Sequence, residues 1–176
     1  KIIDAFTAEN VFLVLSITPD NKLKFTHFSN NGKNENSIDL GTKNTENGNS
    51  IDNHLISAIF DFGLTKIDTN LFTPLYIATA KVKRYLKENT YVLSFDVKDE
   101  TSLISINLAD FSFKKEQFPF EKFEKKSGSN SFLHQNILYQ LTANSEVLSL
   151  TGIGLKTKKT IETYRVNSST EIDFKN

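Results

Sequence analysis

The sequence predicts an all-β chain built from antiparallel meanders. Three observations predict it. The apolar fraction of 38% is carried by Phe, Leu, Ile and Val, with 15 Phe in 176 residues, a mix that suits pleated, half-buried surfaces better than helices. Three segments repeat one order: an apolar run, a polar turn, then a second alternating run. Their starts, at residues 11, 91 and 137, are separated by multiples of a spacing near 40 to 46 residues.

The first segment is Val11 to Phe28, VFLVLSITPDNKLKFTHF, with its turn at Pro19-Asp20-Asn21. The second is Tyr91 to Leu108, YVLSFDVKDETSLISINL, turning at Lys98-Asp99-Glu100. The third is Ile137 to Leu155, ILYQLTANSEVLSLTGIGL, turning at Ala143-Asn144-Ser145. Asn, Asp, Ser and Pro at these positions have the local chemistry of turns. A further turn follows each pair: Ser29-Asn30-Asn31-Gly32, Ala109-Asp110 and Lys156-Thr157-Lys158. Another extended run then follows in two cases, Ser37 to Leu40 and Thr160 to Val166. Each unit thus reads as a meander of three or four strands.

A missing unit is expected around Leu55 to Phe62, LISAIFDF, in the long interval between the first two segments. That gives a single all-β domain over 1–176, with about four units at 5–50, 51–88, 89–130 and 131–176. The pattern resembles β-propeller repeats in general, whose blades are four-stranded sheets of about 40–50 residues. It has neither the WD dipeptide nor the kelch double glycine, so neither named family is indicated. The resemblance implies a whole small ring or a fragment of a larger one. A β-sandwich and a mixed fold with one helix are the alternatives. Thr79 to Asn89, TAKVKRYLKEN, fits a helix through Val82 and Leu86, but as a strand it leads naturally into Tyr91; the strand is preferred. Asn30 to Asn53 and Phe113 to Asn130 read as irregular, the latter alternating Phe with charge and interrupted by Pro119.

Composition excludes several chemistries. With no Cys there is no disulfide, thiol nucleophile or thiolate metal site. With 21 basic and 21 acidic residues, formal net charge is zero, so nucleic acid is not an expected partner. No run of about 20 apolar residues predicts a transmembrane helix. The chain starts at Lys1 and is rich in Lys and Asn. The expectation drawn is a bacterial protein of the cell envelope or a secreted one, with further blades in a longer chain as one candidate partner.

No motif survives its context. Asp61-Phe62-Gly63 is similar to the metal-binding triplet of protein kinases, but a kinase needs a Gly-rich loop, a strand Lys and an HRD loop upstream. A strand ending in a glycine turn is the expected reading. Gly152-Ile153-Gly154 lacks the third glycine and helix of a dinucleotide site, so a bulge or close strand crossing is expected. His27, His54 and His134 have no metal-ligand spacing. No serine lies in a nucleophile motif. No catalytic residue, cofactor or metal is therefore predicted.

One stretch stands out for binding. Phe111, Phe113, Phe118, Phe120 and Phe123 lie within thirteen residues, either packed beneath the chain or displayed as a contact surface. The functional expectation is a non-enzymatic binding or scaffold module with a protein or an extracellular ligand as partner. The alternative is a carboxylate-based hydrolase on the same scaffold, using Asp61, Asp96 and Asp99.

Overall fold

A computed structural model describes residues 1–30, 32–39, 51–97, 99–125 and 127–169. Half of the expected loop at 30–53, with Leu40, lies outside the described residues, as do Asn31 and Lys98 of two expected turns. The described residues fold into three sheets. Sheet A is a meander of β1 (Ile2–Ala8), β2 (Val11–Ile17), β3 (Leu23–Ser29) and β4 (Gly32–Ile38). Sheet B contains β5 (Thr65–Ile67), β6 (Val82–Lys87), β7 (Thr90–Val97), β8 (Glu100–Asn107) and β9 (Phe113–Pro119). Sheet C contains β10 (Gly128–His134), β11 (Ile137–Ala143), β12 (Val147–Gly154) and β13 (Thr160–Asn167). Helix α1 (Ile51–Phe62) lies between sheets A and B in sequence, and α2 (Leu75–Ala78) between β5 and β6 of sheet B. The all-β, propeller-like class stands, with α1 added.

The first hairpin of each sheet has a two-residue turn. Ala8 pairs Val11 across Glu9-Asn10, Lys87 pairs Thr90 across Glu88-Asn89, and His134 pairs Ile137 across Gln135-Asn136. Glu9, Asn10, Glu88, Gln135 and Asn136 all have positive φ, the backbone that lets a two-residue turn follow the strand twist. Asn bears this conformation better than most residues. These turns fix a common register across the sheets: Leu13, Val92 and Tyr139 are equivalent, as are Val14, Leu93 and Gln140.

That register explains how the sheets stack. A strand sends alternate side chains to opposite faces. Leu13, Leu15 and Ile17 of β2, with Leu23 and Phe25 of β3, pack against Tyr91, Leu93, Phe95, Ile104 and Ile106 of sheet B. The opposite face of sheet B, carrying Tyr85, Val92, Leu103 and Phe118, meets Leu133 and Leu138 of sheet C. Each sheet thus lays one constant face, its front, on the constant back of the next, which is the head-to-tail order of propeller blades. Sheet B is covered on both sides, so Val82 to Tyr85 and Tyr91 to Phe95 are continuously buried.

Several expectations are corrected. Leu55 to Phe62 is not a strand but the end of α1: Leu55, Ile56 and Ile59 are buried at helical spacing, while Phe60 and Phe62 are exposed. Gly63, at φ +74, donates its N–H to the Ile59 carbonyl at 3.0 Å, so the Asp61-Phe62-Gly63 triplet is a helix end. Residues 51–88 have no sheet of their own, since β5 and β6 belong to the sheet that also contains β7 to β9. Gly32–Ile38, read as loop, is the polar edge strand β4. The stretch 113–130 is likewise ordered, containing β9 and the start of β10. Pro119 fits there as the last residue of an edge strand.

Charge is enclosed between sheets A and B. The buried Asp4 carboxylate accepts from Arg84 Nε at 2.9 Å and from the Tyr91 hydroxyl at 2.9 Å, and pairs with Lys66 Nζ at 2.9 Å. The Arg84 guanidinium also lies over the Phe6 and Tyr91 rings. Asp4→Ala leaves Arg84 buried without its counter-charge. It is expected to cost about 3–5 kcal/mol of stability, read from urea unfolding; a loss below about 1 kcal/mol contradicts the pairing.

Candidate functional site

The most exposed apolar surface is the connection from β5 to β6. After Ile67 the chain turns on Asp68, whose carboxylate accepts the Asn70 N–H at 2.9 Å and whose carbonyl accepts the Leu71 N–H at 3.2 Å. Pro74, with φ −58, then precedes the single turn α2, and the Thr79 hydroxyl closes that turn on the Tyr76 carbonyl at 3.2 Å. Ile77 points inward onto the cluster of Ile67, Tyr85, Val92 and Leu133. Sheet C ties the far end down: Asn130 Nδ2 donates to the Thr79 carbonyl at 3.0 Å, and Lys81 Nζ to the Ser129 carbonyl at 2.9 Å. The outer side of this anchored loop displays Leu71, Phe72, Leu75 and Tyr76, at 68%, 90%, 78% and 78% exposure. Beside it runs a groove of about 390 Å³ lined by Leu71, Ala78, Phe132, His134 and Tyr139. A rigid apolar ridge beside a groove can bury area in a partner at small ordering cost.

The interface of sheets B and C is more polar. Asp96 accepts the Ser131 N–H at 3.0 Å, the Ser131 hydroxyl at 2.6 Å and the Thr101 hydroxyl at 2.9 Å. Lys83, fully buried, lies 4.0 Å from that carboxylate and donates to Asn130 Oδ1 at 3.3 Å. Burial, opposed by the Asp96 charge, pulls the Lys83 ammonium from 10.5 down to about 8. Burial likewise raises the Tyr85 and Tyr91 hydroxyls. Further out the two sheets diverge into a groove of about 550 Å³ lined by Gln117, Gln140, Thr142, Ser149, Thr151 and Lys158. There the buried Ser149 hydroxyl has no partner.

The five predicted phenylalanines separate. Phe118 and Phe120 are buried, and Phe118 joins the core between sheets B and C. Phe111 packs against Phe25 at 5.5 Å. Phe123 is partly covered, with the Arg165 guanidinium 5.5 Å above its ring. Only Phe113 is exposed. The stretch therefore packs beneath the chain rather than forming one contact surface, because β9 turns alternate side chains onto sheet C. The ridge at 71–76 went unread in the sequence. Its signal was LFTPLY itself: apolar, without period 2 or 3.6, and bounded by turn residues.

The carboxylates considered for hydrolysis do not converge. Asp61 is exposed on α1, Asp96 is consumed between sheets B and C, and Asp99 is an exposed turn residue 3.8 Å from Lys122. Glu121, which borders an open groove with Asp99, pairs with Arg165 at 2.9 Å. Among the described residues no group of three His, Cys, Asp or Glu is placed to hold a metal. No described helix is long and apolar enough to cross a membrane. Gly152 sits at a register shift between β12 and β13, and a Cβ on Gly154 would meet Thr157 Oγ1 at 2.8 Å, so both glycines serve strand geometry.

No family model matches the chain, and no curated protein does. Among solved structures, the β-propeller domain of Vanderwaltozyma polyspora Nup133 is similar, at 11% identity and a TM-score of 0.34. The match covers 95% of this chain and 47% of that one, so the chain spans about half the length of that domain. The propeller-like architecture is read from the three stacked sheets themselves, and a fold alone does not specify an activity.

The buried Lys83 sets a pH dependence. Its folded value of about 8 lies below the ordinary 10.5, so between these values the unfolded chain binds more protons and stability rises with pH. Above pH 10 the raised tyrosines reverse the slope, since only the unfolded chain releases their protons. Urea midpoints are expected to climb from pH 8 to 10 by about 2 kcal/mol equivalent, and Lys83→Met is expected to flatten that climb. A wild-type profile already flat there contradicts the assignment.

Proposed function

We propose that the chain is a non-enzymatic binding or scaffold module that docks a protein through the ridge of Leu71, Phe72, Leu75 and Tyr76. The observation that carries this reading is the pairing of extreme exposure with firm anchoring. Four large apolar side chains face water, while Ile77, Pro74, Asn130 and Lys81 hold the loop beneath them. Exposed apolar surface of this kind marks interaction sites in folded proteins, and aromatic residues at a patch centre are frequent binding anchors. The enzyme alternative is not favoured, because its candidate carboxylates lie on three separate parts of the surface and interior. An extracytoplasmic setting is a separate part of the proposal. The cysteine-free composition suits that setting and the cytosol equally, and fractionation of the native source tests it.

The docking reading is tested by photo-crosslinking in the native source, with a crosslinking residue placed at Phe72 or Tyr76 and a control at exposed Asn107. One discrete protein adduct from both ridge positions is expected, absent from the control. Leu75→Ser should abolish it with the thermal midpoint unchanged, since such a surface substitution moves stability by less than about 0.5 kcal/mol. Identical adducts from the control, or none from the ridge, overturn the reading.

A further inference from the structure

We propose that the open front of sheet C and the open back of sheet A bind each other between two copies of this chain, closing a six-sheet ring. The inference is independent of the ridge and rests on the register shared by the three sheets. At both internal interfaces the same positions meet: the front of one sheet (Leu13, Leu15 and Ile17 in β2; Val92, Ser94 and Asp96 in β7) covers the back of the next (Tyr91, Leu93 and Phe95 in β7; Leu138, Gln140 and Thr142 in β11).

Continuing that register identifies the two faces that, among the described residues, no other sheet covers. The front of sheet C carries Tyr139 and Leu141 in β11. Leu141 pairs Leu150 in β12, and Leu150 pairs Tyr164 in β13, so the three share this face. Leu148, two residues from Leu150, joins them. Leu141, Leu148, Leu150 and Tyr164 are all exposed, although the equivalent position of Leu141 is occupied by buried Leu15 in sheet A and buried Ser94 in sheet B. The back of sheet A carries Phe12, Val14 and Ser16, equivalent to Tyr91, Leu93 and Phe95. Phe12 and Phe28 pair there in the open, with ring centroids 6.1 Å apart. These are the two halves of the interface that the chain already makes twice.

Charge favours the match. The back of sheet A presents Lys24 and Lys33 around Glu35, an excess of one positive charge, and the front of sheet C presents Glu162. Front-to-back contacts are heterologous, and such contacts either close into a ring or run on as a filament. Three sheets fall short of a closed propeller, whereas two copies supply six, within the usual range of four to eight. A second copy is the occupant to which the proposal commits, since it presents a complementary back to each open front.

The test is analytical ultracentrifugation of the chain and of two single variants, Leu150→Glu on the front of sheet C and Phe28→Glu on the back of sheet A. The parent is expected at twice the 19.9 kDa chain mass. Each variant alone is expected as a monomer. The two variants mixed are expected to form a one-to-one complex, because one intact front still meets one intact back. A folded parent that stays monomeric throughout the concentration series overturns the proposal. So does a dimer that survives either single change, which is the result expected of a front-to-front contact or of unrelated association. Circular dichroism checks folding, and Tyr164→Glu with Phe12→Glu form the replacement pair if either first variant unfolds.

Discussion

A sheet covered on both faces has no side left for water, and the rest of this molecule follows from that constraint on sheet B. The side chains of Tyr91 to Phe95 and Thr101 to Ile104 on its central strands are buried in one interface or the other, so each must be apolar or supplied with a partner. Toward sheet A the answer is an apolar layer with one enclosed charge cluster, Asp4 with Arg84, Lys66 and Tyr91. Toward sheet C it is a polar lattice around Asp96, Lys83 and Ser131. The two solutions differ in consequence. The first interface is mostly apolar, whereas the second opens outward into a groove that holds the unpartnered Ser149 hydroxyl.

The same constraint decides what could be read from the sequence. The hairpins of β2–β3, β7–β8 and β11–β12 were legible because their turns carry distinctive chemistry and their strands are strongly apolar. The strand at 82–87 was ambiguous against a helix because burial on both faces erases alternation. Arg84, a charged residue in the middle of that run, is accommodated because Asp4 faces it from another sheet. Edge strands β4 and β9 read as loops because an edge can be polar, and Lys on an edge discourages unwanted pairing. The helix α1 was misread because a repeat was sought where its residues belonged. Leu55, Ile56 and Ile59 have helical spacing, and that local signal outweighed the expected period. The repeat had a marker after all: Glu-Asn, Glu-Asn and Gln-Asn at 9–10, 88–89 and 135–136. They are short and chemically ordinary, and gain meaning only from the positive φ that the first residue of each pair adopts.

The functional surface was less legible than the fold, for a physical reason. A cluster of Phe in sequence says nothing of which way each ring points, and β9 directs Phe118 into the core while Phe113 faces out. An apolar loop such as 71–76 resembles buried chain until its underside is seen to be anchored elsewhere. What separates a binding ridge from a core segment here is Ile77 turning in while Phe72 and Tyr76 turn out. The carboxylates show the converse. Asp96, conspicuous at a strand end, is spent on holding two sheets together.

The central claim is that sheet B is the doubly covered middle of a head-to-tail stack. Amide hydrogen exchange tests it most directly, because protection follows burial and cooperative opening. The slowest exchange is predicted for β7 and β8, around Leu93 and Ile104, with β4 and β13 exchanging much faster. Equal protection across all three sheets, or a maximum in β13, would contradict the account.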